Sequence, residues 1–85
     1  MQVFYSPEFV RKYKKLPDFL KDLAKEKEKI FRAYPFDASL KTHKLHGKFR
    51  EFWSFWVGYD CRIIFKFYDK NIVRFYSIGG HTIYK

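Results

Sequence analysis

The spacing of apolar residues changes at Gly47, and this change constrains the fold more than any other feature of the sequence. Before it, apolar residues recur at helical spacing with lysine and glutamate between them. After it, aromatic and β-branched residues dominate segments that are separated by short turns, a pattern typical of strands. The sequence therefore predicts helices in its first half and a sheet in its second half.

Two proline-containing segments mark where the helices begin. Ser6-Pro7-Glu8 provides an N-cap, a proline at the first helical position and an acidic residue in the first turn. A second helix is expected to open at Pro17 and to end at Pro35, because the residue before a proline disfavours helical backbone. The apolar stripe predicted for its buried face comprises Phe19, Leu20, Leu23, Ala24, Ile30, Phe31 and Tyr34.

Four segments predict the strands of one sheet. They cover residues 3–5, 49–57, 62–68 and 72–78, and turn signals separate the last three. Residues 36–47 are expected to form a loop. The predicted order is β-α-α-β-β-β, a single α+β domain over residues 1–85 in which a helical hairpin packs on an antiparallel sheet.

The net charge of +9 is spread over the chain and is not confined to a tail. Residues 1–34 contain nine basic and five acidic side chains, and residues 41–66 contain six basic and two acidic ones. Such an excess on a folded domain attracts polyanions. With 11 Phe, 7 Tyr and 2 Trp as possible stacking groups, the composition favours RNA as a partner, although a basic surface can also serve solubility alone.

Several classes of protein are disfavoured by what the sequence lacks. Cys61 is the only cysteine, which excludes an internal disulfide and a zinc site made of cysteines. No apolar run approaches the ~20 residues of a membrane span. The first residues have neither the basic nor the apolar region of a secretory signal, so a cytoplasmic protein without membrane partners is expected.

The last seven residues carry the clearest chemical signal. His81 follows two glycines at the end of the last predicted strand, and Tyr84 and Lys85 lie within four positions of it. Imidazole can both accept and donate a proton near neutral pH. The glycines allow the backbone to turn, so the ring can reach a cleft or a sheet edge. A histidine in this basic and aromatic context points to chemistry on RNA.

Four motifs in this order resemble the RelE/ParE superfamily of bacterial toxins, in particular its RelE/StbE-type and YafQ-like mRNA interferase branch. The motifs are YSPEF at residues 5–9, LKTHKLHGK at 40–48, YDCRIIF at 59–65 and IGGHTIY at 78–84. The resemblance covers essentially the whole chain. It implies an endoribonuclease that acts without a metal or other cofactor on mRNA in the ribosomal A site. It also implies that this activity is blocked by a cognate antitoxin, which a neighbouring gene encodes.

The resemblance also implies a set of catalytic residues. The active-site histidines and aspartate of YafQ-like members carry over onto His43, Asp60 and His81. Trp56 stands where those members have a second histidine, so the division of acid and base roles is left open. Arg62 matches the arginine that RelE-like members use near the scissile phosphate.

RNA cleavage by its own 2′-hydroxyl explains why these residue types are needed. The reaction requires a base for that hydroxyl, positive charge for the phosphorane and an acid for the leaving 5′-oxygen. We expect His81 to be the acid or the base and His43 its complement, while Asp60 orients a histidine and favours its charged form. Arg62 would hold phosphate oxygens. The expected RNA contacts are Lys44, His46, Lys48, Arg50, Trp56, Tyr84 and Lys85.

Each candidate also has a structural interpretation. His81 and His43 can be solvated residues of a chain end and a loop. Asp60 can be an ordinary turn residue, and Arg62 can pair with Glu51 on a strand. These alternatives remain open on the sequence alone.

A zinc site is the remaining chemical alternative. His43, His46 and His81 offer three nitrogen ligands. Their spacing matches no standard zinc pattern, and no glutamate lies between two of them as in a His-Glu-x-x-His helix. No metal site is therefore predicted.

Two other functions compete with the nuclease. A ParE-like toxin would inhibit DNA gyrase by binding and would need no acid–base groups. A catalytically inactive member would only bind RNA or the ribosome. In either toxin case we expect a protein that is monomeric when free and that an acidic antitoxin covers.

Overall fold

The computed structural model describes residues 1–80, which form two helices on one five-stranded sheet. In chain order the elements are β1 (Gln2–Tyr5), α1 (Pro7–Lys14), α2 (Asp18–Ala33), β2 (His43–Lys44), β3 (Trp53–Gly58), β4 (Cys61–Asp69) and β5 (Ile72–Gly79). Short 3-10 helices cover Ala38–Leu40 and Gly47–Phe49. The sheet order is β1-β5-β4-β3-β2, antiparallel except for the parallel pair β1–β5. The α+β prediction is confirmed.

The predicted start of α1 is confirmed at atomic detail. The Ser6 hydroxyl accepts the Phe9 N–H at 3.0 Å and donates to the Tyr76 carbonyl at 2.7 Å. Pro7 occupies the first helical turn. Because β1 pairs only with the first half of β5, α1 starts where that pairing ends and lies beside the second half of β5.

Replacement of Ser6 by alanine is expected to lower the free energy of unfolding by about 2 kcal/mol, since it removes a helix cap and leaves the partly buried Tyr76 carbonyl without this donor. Chemical denaturation followed by circular dichroism measures the effect. Ser39→Ala, at an exposed serine, is the matched control and should change stability by less than about 0.5 kcal/mol. Equal effects of the two substitutions would contradict the capping role.

The core lies between α2 and one face of the sheet and is rich in phenylalanine. Phe31 of α2 is fully buried and packs on the rings of Phe55, Phe65 and Phe75 at centroid distances of 4.7, 4.8 and 5.5 Å. Burial also raises the pKa of the Cys61 thiol to about 11, so this cysteine acts as a core residue and not as a nucleophile.

Three details of the sequence prediction are wrong. Phe19 and Tyr34, assigned to the buried stripe of α2, are 53% and 58% exposed. Phe19 lies in the first turn, where its ring meets that of the exposed Tyr59 edge to face at 5.5 Å, and Tyr34 has left the helix with φ −157°. The predicted loop 36–47 contains the two-residue strand β2, which pairs with β3. The strand expected from residue 49 begins at Trp53, because the preceding residues form a 3-10 turn.

Within residues 1–80, no helix has both the length and the apolar character required to cross a membrane.

Candidate functional site

The sheet face that α2 does not cover, called the open face below, gathers several of the predicted site residues. His43 of β2 pairs with Ser54 of β3, so their side chains point to the same face. On β4, Arg62 lies two residues before Ile64, the partner of Ser54, and strand alternation puts both on that face. His43 and Arg62 are thus two strands apart, with their backbones about 10–12 Å from one another.

His43 is held in a defined orientation at the edge of the sheet. Its Nδ1 lies 2.9 Å from the carbonyl oxygen of Lys41, and this oxygen can only accept a hydrogen bond, so Nδ1 carries the proton. Nε2 of this exposed ring is then the nitrogen that is directed away from the backbone. Lys41 itself is in the left-handed region at φ 51°, a conformation that costs a residue with a side chain about 1 kcal/mol. The geometry is suited to a general base.

Asp60 lies against the backbone that leads into the last five residues. A Cβ built on Gly80 would be only 2.9 Å from Asp60 Oδ2, so glycine is required for this close approach. The turn that carries Asp60 is fixed by Trp56, whose Nε1 donates to the Tyr59 carbonyl at 2.7 Å. Tyr59 adopts φ 54° there. The carboxylate therefore lies beside the backbone of Gly80, the residue that precedes His81 in the sequence.

Arg62 lies between the other elements of the site. It is partly buried, and the register places it opposite Trp56 on one side and Gly79 on the other. Gly79 has φ 153°, a backbone conformation that L side chains rarely adopt. The structural alternative for Arg62, a pair with Glu51, is not among the ion pairs of the described residues, in which Glu51 lies 3.9 Å from the Lys66 ammonium.

The predicted RNA contacts do not all lie on the open face. Lys44 is paired with Trp53, and strand alternation directs it to the opposite face from His43. Trp56 is partly buried, with the ammonium groups of Lys41 and Lys27 at 4.6 and 5.3 Å from its ring centroid. Two lysine ammonium groups are therefore within cation–π distance of this ring.

The 3-10 turn before β3 carries three further candidates. His46 is its N-cap, Lys48 lies within it, and Arg50 is its C-cap. All three are exposed. His81, Tyr84 and Lys85 lie outside the described residues.

Two basic residues of the open face were missed by the sequence analysis. Lys66 pairs with Arg74 in the register of β4 and β5, and both share the face of Arg62. Counting every second residue from Arg62 along the strand would have found Lys66. Arg74 has a buried Nε without a hydrogen-bond partner among the described residues, and its guanidinium lies 5.2 Å from the Tyr76 ring centroid.

Among residues 1–80, no three His, Cys, Asp or Glu side chains come close enough to hold a metal ion. The zinc alternative required His81, which is outside this range.

Comparisons with known proteins give a fold but no sequence family. No protein-family model matches the chain, and no curated protein sequence matches it significantly. YafQ from E. coli strain BL21(DE3) is 23% identical and superposes with a TM-score of 0.76, over 98% of this chain and 96% of YafQ. In the E. coli DinJ-YafQ toxin-antitoxin complex the values are 21% and 0.78, over 96% and 93%.

A further solved structure extends this likeness. The YoeB/ParE toxin from Agrobacterium tumefaciens is 13% identical with a TM-score of 0.79, over 95% of this chain and 99% of that one. The match thus covers nearly the full length of both chains although the sequences have diverged widely. The protein has the fold of the RelE/YafQ-like toxins.

Proposed function

We propose that this chain is the toxin of a toxin–antitoxin pair and cleaves mRNA on the ribosome as a metal-independent endoribonuclease. The observation that carries the proposal is the position of Asp60 against Gly80, which puts a carboxylate beside the backbone of Gly80 at the same end of the sheet as Arg62. The likeness in fold to YafQ, which is known in a toxin–antitoxin complex, supports it.

The proposed reaction uses the RNA as its own nucleophile. His43 Nε2 takes the proton of the 2′-hydroxyl, and the resulting oxyanion attacks the adjacent phosphorus. Arg62 stabilises the negative charge of the phosphorane through its planar guanidinium. His81, oriented by Asp60, donates a proton to the 5′-oxygen as the P–O bond breaks. The products are a 2′,3′-cyclic phosphate and a 5′-hydroxyl.

The proposed partners follow from charge and fold. A net charge of +9 suits capture of the ribosome and its mRNA, and it also suits an acidic antitoxin that covers the open face. The protein is then a cytoplasmic monomer when it is not bound to the antitoxin.

A reconstituted translation system tests the proposal. The purified protein is added with and without ribosomes, and the 5′ ends of the mRNA are mapped by primer extension. Cuts that require ribosomes, follow the codon phase and leave 5′-hydroxyl ends support the proposal. A 2′-deoxynucleotide at the cut position should abolish cleavage there, because it removes the nucleophile.

A gyrase inhibitor is the second candidate, since a YoeB/ParE toxin is among the structures with this fold. A DNA supercoiling assay with purified gyrase separates the two functions. Intact mRNA together with inhibited supercoiling would overturn the nuclease proposal.

Gly80→Ala is expected to reduce cleavage about tenfold or more without lowering stability, because the new methyl group displaces the Asp60 carboxylate. The carboxylate is the mobile end of an exposed side chain, so the fold can accommodate the change. The control is the same substitution in an Asp60→Ala protein, where it should have little further effect. Equal losses in both backgrounds would contradict a role through Asp60.

A further inference from the structure

A groove of about 290 Å³ crosses the open face between the start of α1 and the 3-10 turn before β3. Its apolar part is formed by Phe49, Phe52, Tyr76 and Ile64. The Phe52 and Tyr76 rings meet edge to face at 5.1 Å, and Phe49 lies 6.5 Å from Phe52. This arrangement of aromatic walls around an aliphatic floor suits a flat aromatic ligand.

The opposite end of the groove is polar and holds a carboxylate. Glu8 lies there with Ser77, and a hydrogen bond with Ser77, together with the Lys12 ammonium 3.3 Å away, holds the pKa of Glu8 below its usual value. An ionised carboxylate has about four acceptor positions. Ser77 and Lys12 use two of them, so Glu8 can accept further hydrogen bonds from a ligand in the groove.

The surroundings of the groove are strongly basic. They therefore favour a ligand that is part of a polyanion. Lys48 and Arg50 border it on the 3-10 turn, and Lys66 and Arg74 lie farther along the same sheet face. Ser77 is two residues before Gly79, the neighbour of Arg62, so the groove is about 7 Å from the proposed site of cleavage.

We propose that this groove binds one unstacked guanine base of the RNA strand, with Glu8 accepting hydrogen bonds from its N1–H and 2-amino groups. The inference rests on the proposed function and adds a base preference to it. Guanine is the base that presents two adjacent donors on its Watson–Crick edge. Adenine, cytosine and uracil each place an acceptor beside their donor, and a carboxylate repels it.

Equilibrium binding to short RNAs tests the groove independently of cleavage. Fluorescence anisotropy is measured at low salt with labelled RNAs of five nucleotides. The central nucleotide carries guanosine, inosine, adenosine or cytidine, and the other four are uridines. We expect guanine to bind about fivefold or more tightly than inosine, which lacks only the 2-amino group. Glu8→Gln should abolish this difference, whereas Glu26→Gln, which removes the same charge from an exposed position on α2, should preserve it.

The outcomes separate the inference from the nuclease proposal. A guanine preference that depends on Glu8 supports the groove even if no mRNA is cut. Codon-phased cleavage combined with equal binding of guanine and inosine overturns the groove and leaves the nuclease intact. If Glu8→Gln fails to fold, the comparison of guanine with inosine in the unaltered protein decides alone. Absence of binding to all four RNAs also overturns the inference.

Discussion

His81→Ala is expected to reduce ribosome-dependent mRNA cleavage about 10²- to 10⁴-fold, the usual contribution of a positioned general acid or base. The side chain would protonate the leaving 5′-oxygen, whereas His43, which bonds to the Lys41 carbonyl on the edge strand β2, would serve the 2′-hydroxyl. The measurement is the single-turnover cleavage rate in the reconstituted system, at saturating protein.

His46→Ala provides the matched control for that substitution. It also removes one imidazole, but from the exposed N-cap of the 3-10 turn, where we expect only an RNA contact. Its effect should appear in the apparent affinity and diminish at saturating protein. If the His81→Ala protein cleaves mRNA at the same rate as the His46→Ala protein, His81 is neither the acid nor the base of the reaction. Normal binding of His81→Ala to ribosomes would show that the loss concerns chemistry.

Helices and strands could be predicted from the sequence where a local signal determined the structure. Ser6 and Pro7 predicted the start of α1, because a cap and a fixed φ act within one turn. The aromatic and β-branched residues between 62 and 68 predicted β4, because such side chains favour extended backbone. Phe19 was misassigned because helical spacing shows which side a residue is on, but not whether the sheet extends far enough to cover it.

The arrangement of the site could be predicted only in part. His43, Asp60 and Arg62 were found by residue type and resemblance, but β2 is two residues long and has no strand signal of its own. Its pairing with β3 decides that His43 faces the site and Lys44 does not. The groove beside Glu8 joins residues more than 60 positions apart in the sequence, a contact that local patterns do not encode.

Phe31→Ala is expected to lower the free energy of unfolding by about 3–5 kcal/mol, the largest stability effect that we anticipate for one substitution. Phe31 is fully buried and contacts three other phenylalanine rings, one from each of β3, β4 and β5. A domain of this size has a total stability on the order of 5–10 kcal/mol, so the variant should be close to unfolding at 37 °C. Guanidinium denaturation followed by circular dichroism measures the change.

Phe19→Ala is the control for the loss of a benzyl group from the same helix. Phe19 is 53% exposed and meets the ring of the exposed Tyr59 edge to face, so we expect a cost below about 1 kcal/mol. A similar cost for both variants would show that α2 is not anchored through Phe31. Since Phe31 joins α2 to the strands that carry Arg62 and Asp60 at their ends, its removal should lower cleavage in proportion to the fraction of folded protein. A cleavage loss greater than this fraction would show that packing against α2 also sets the geometry of the site.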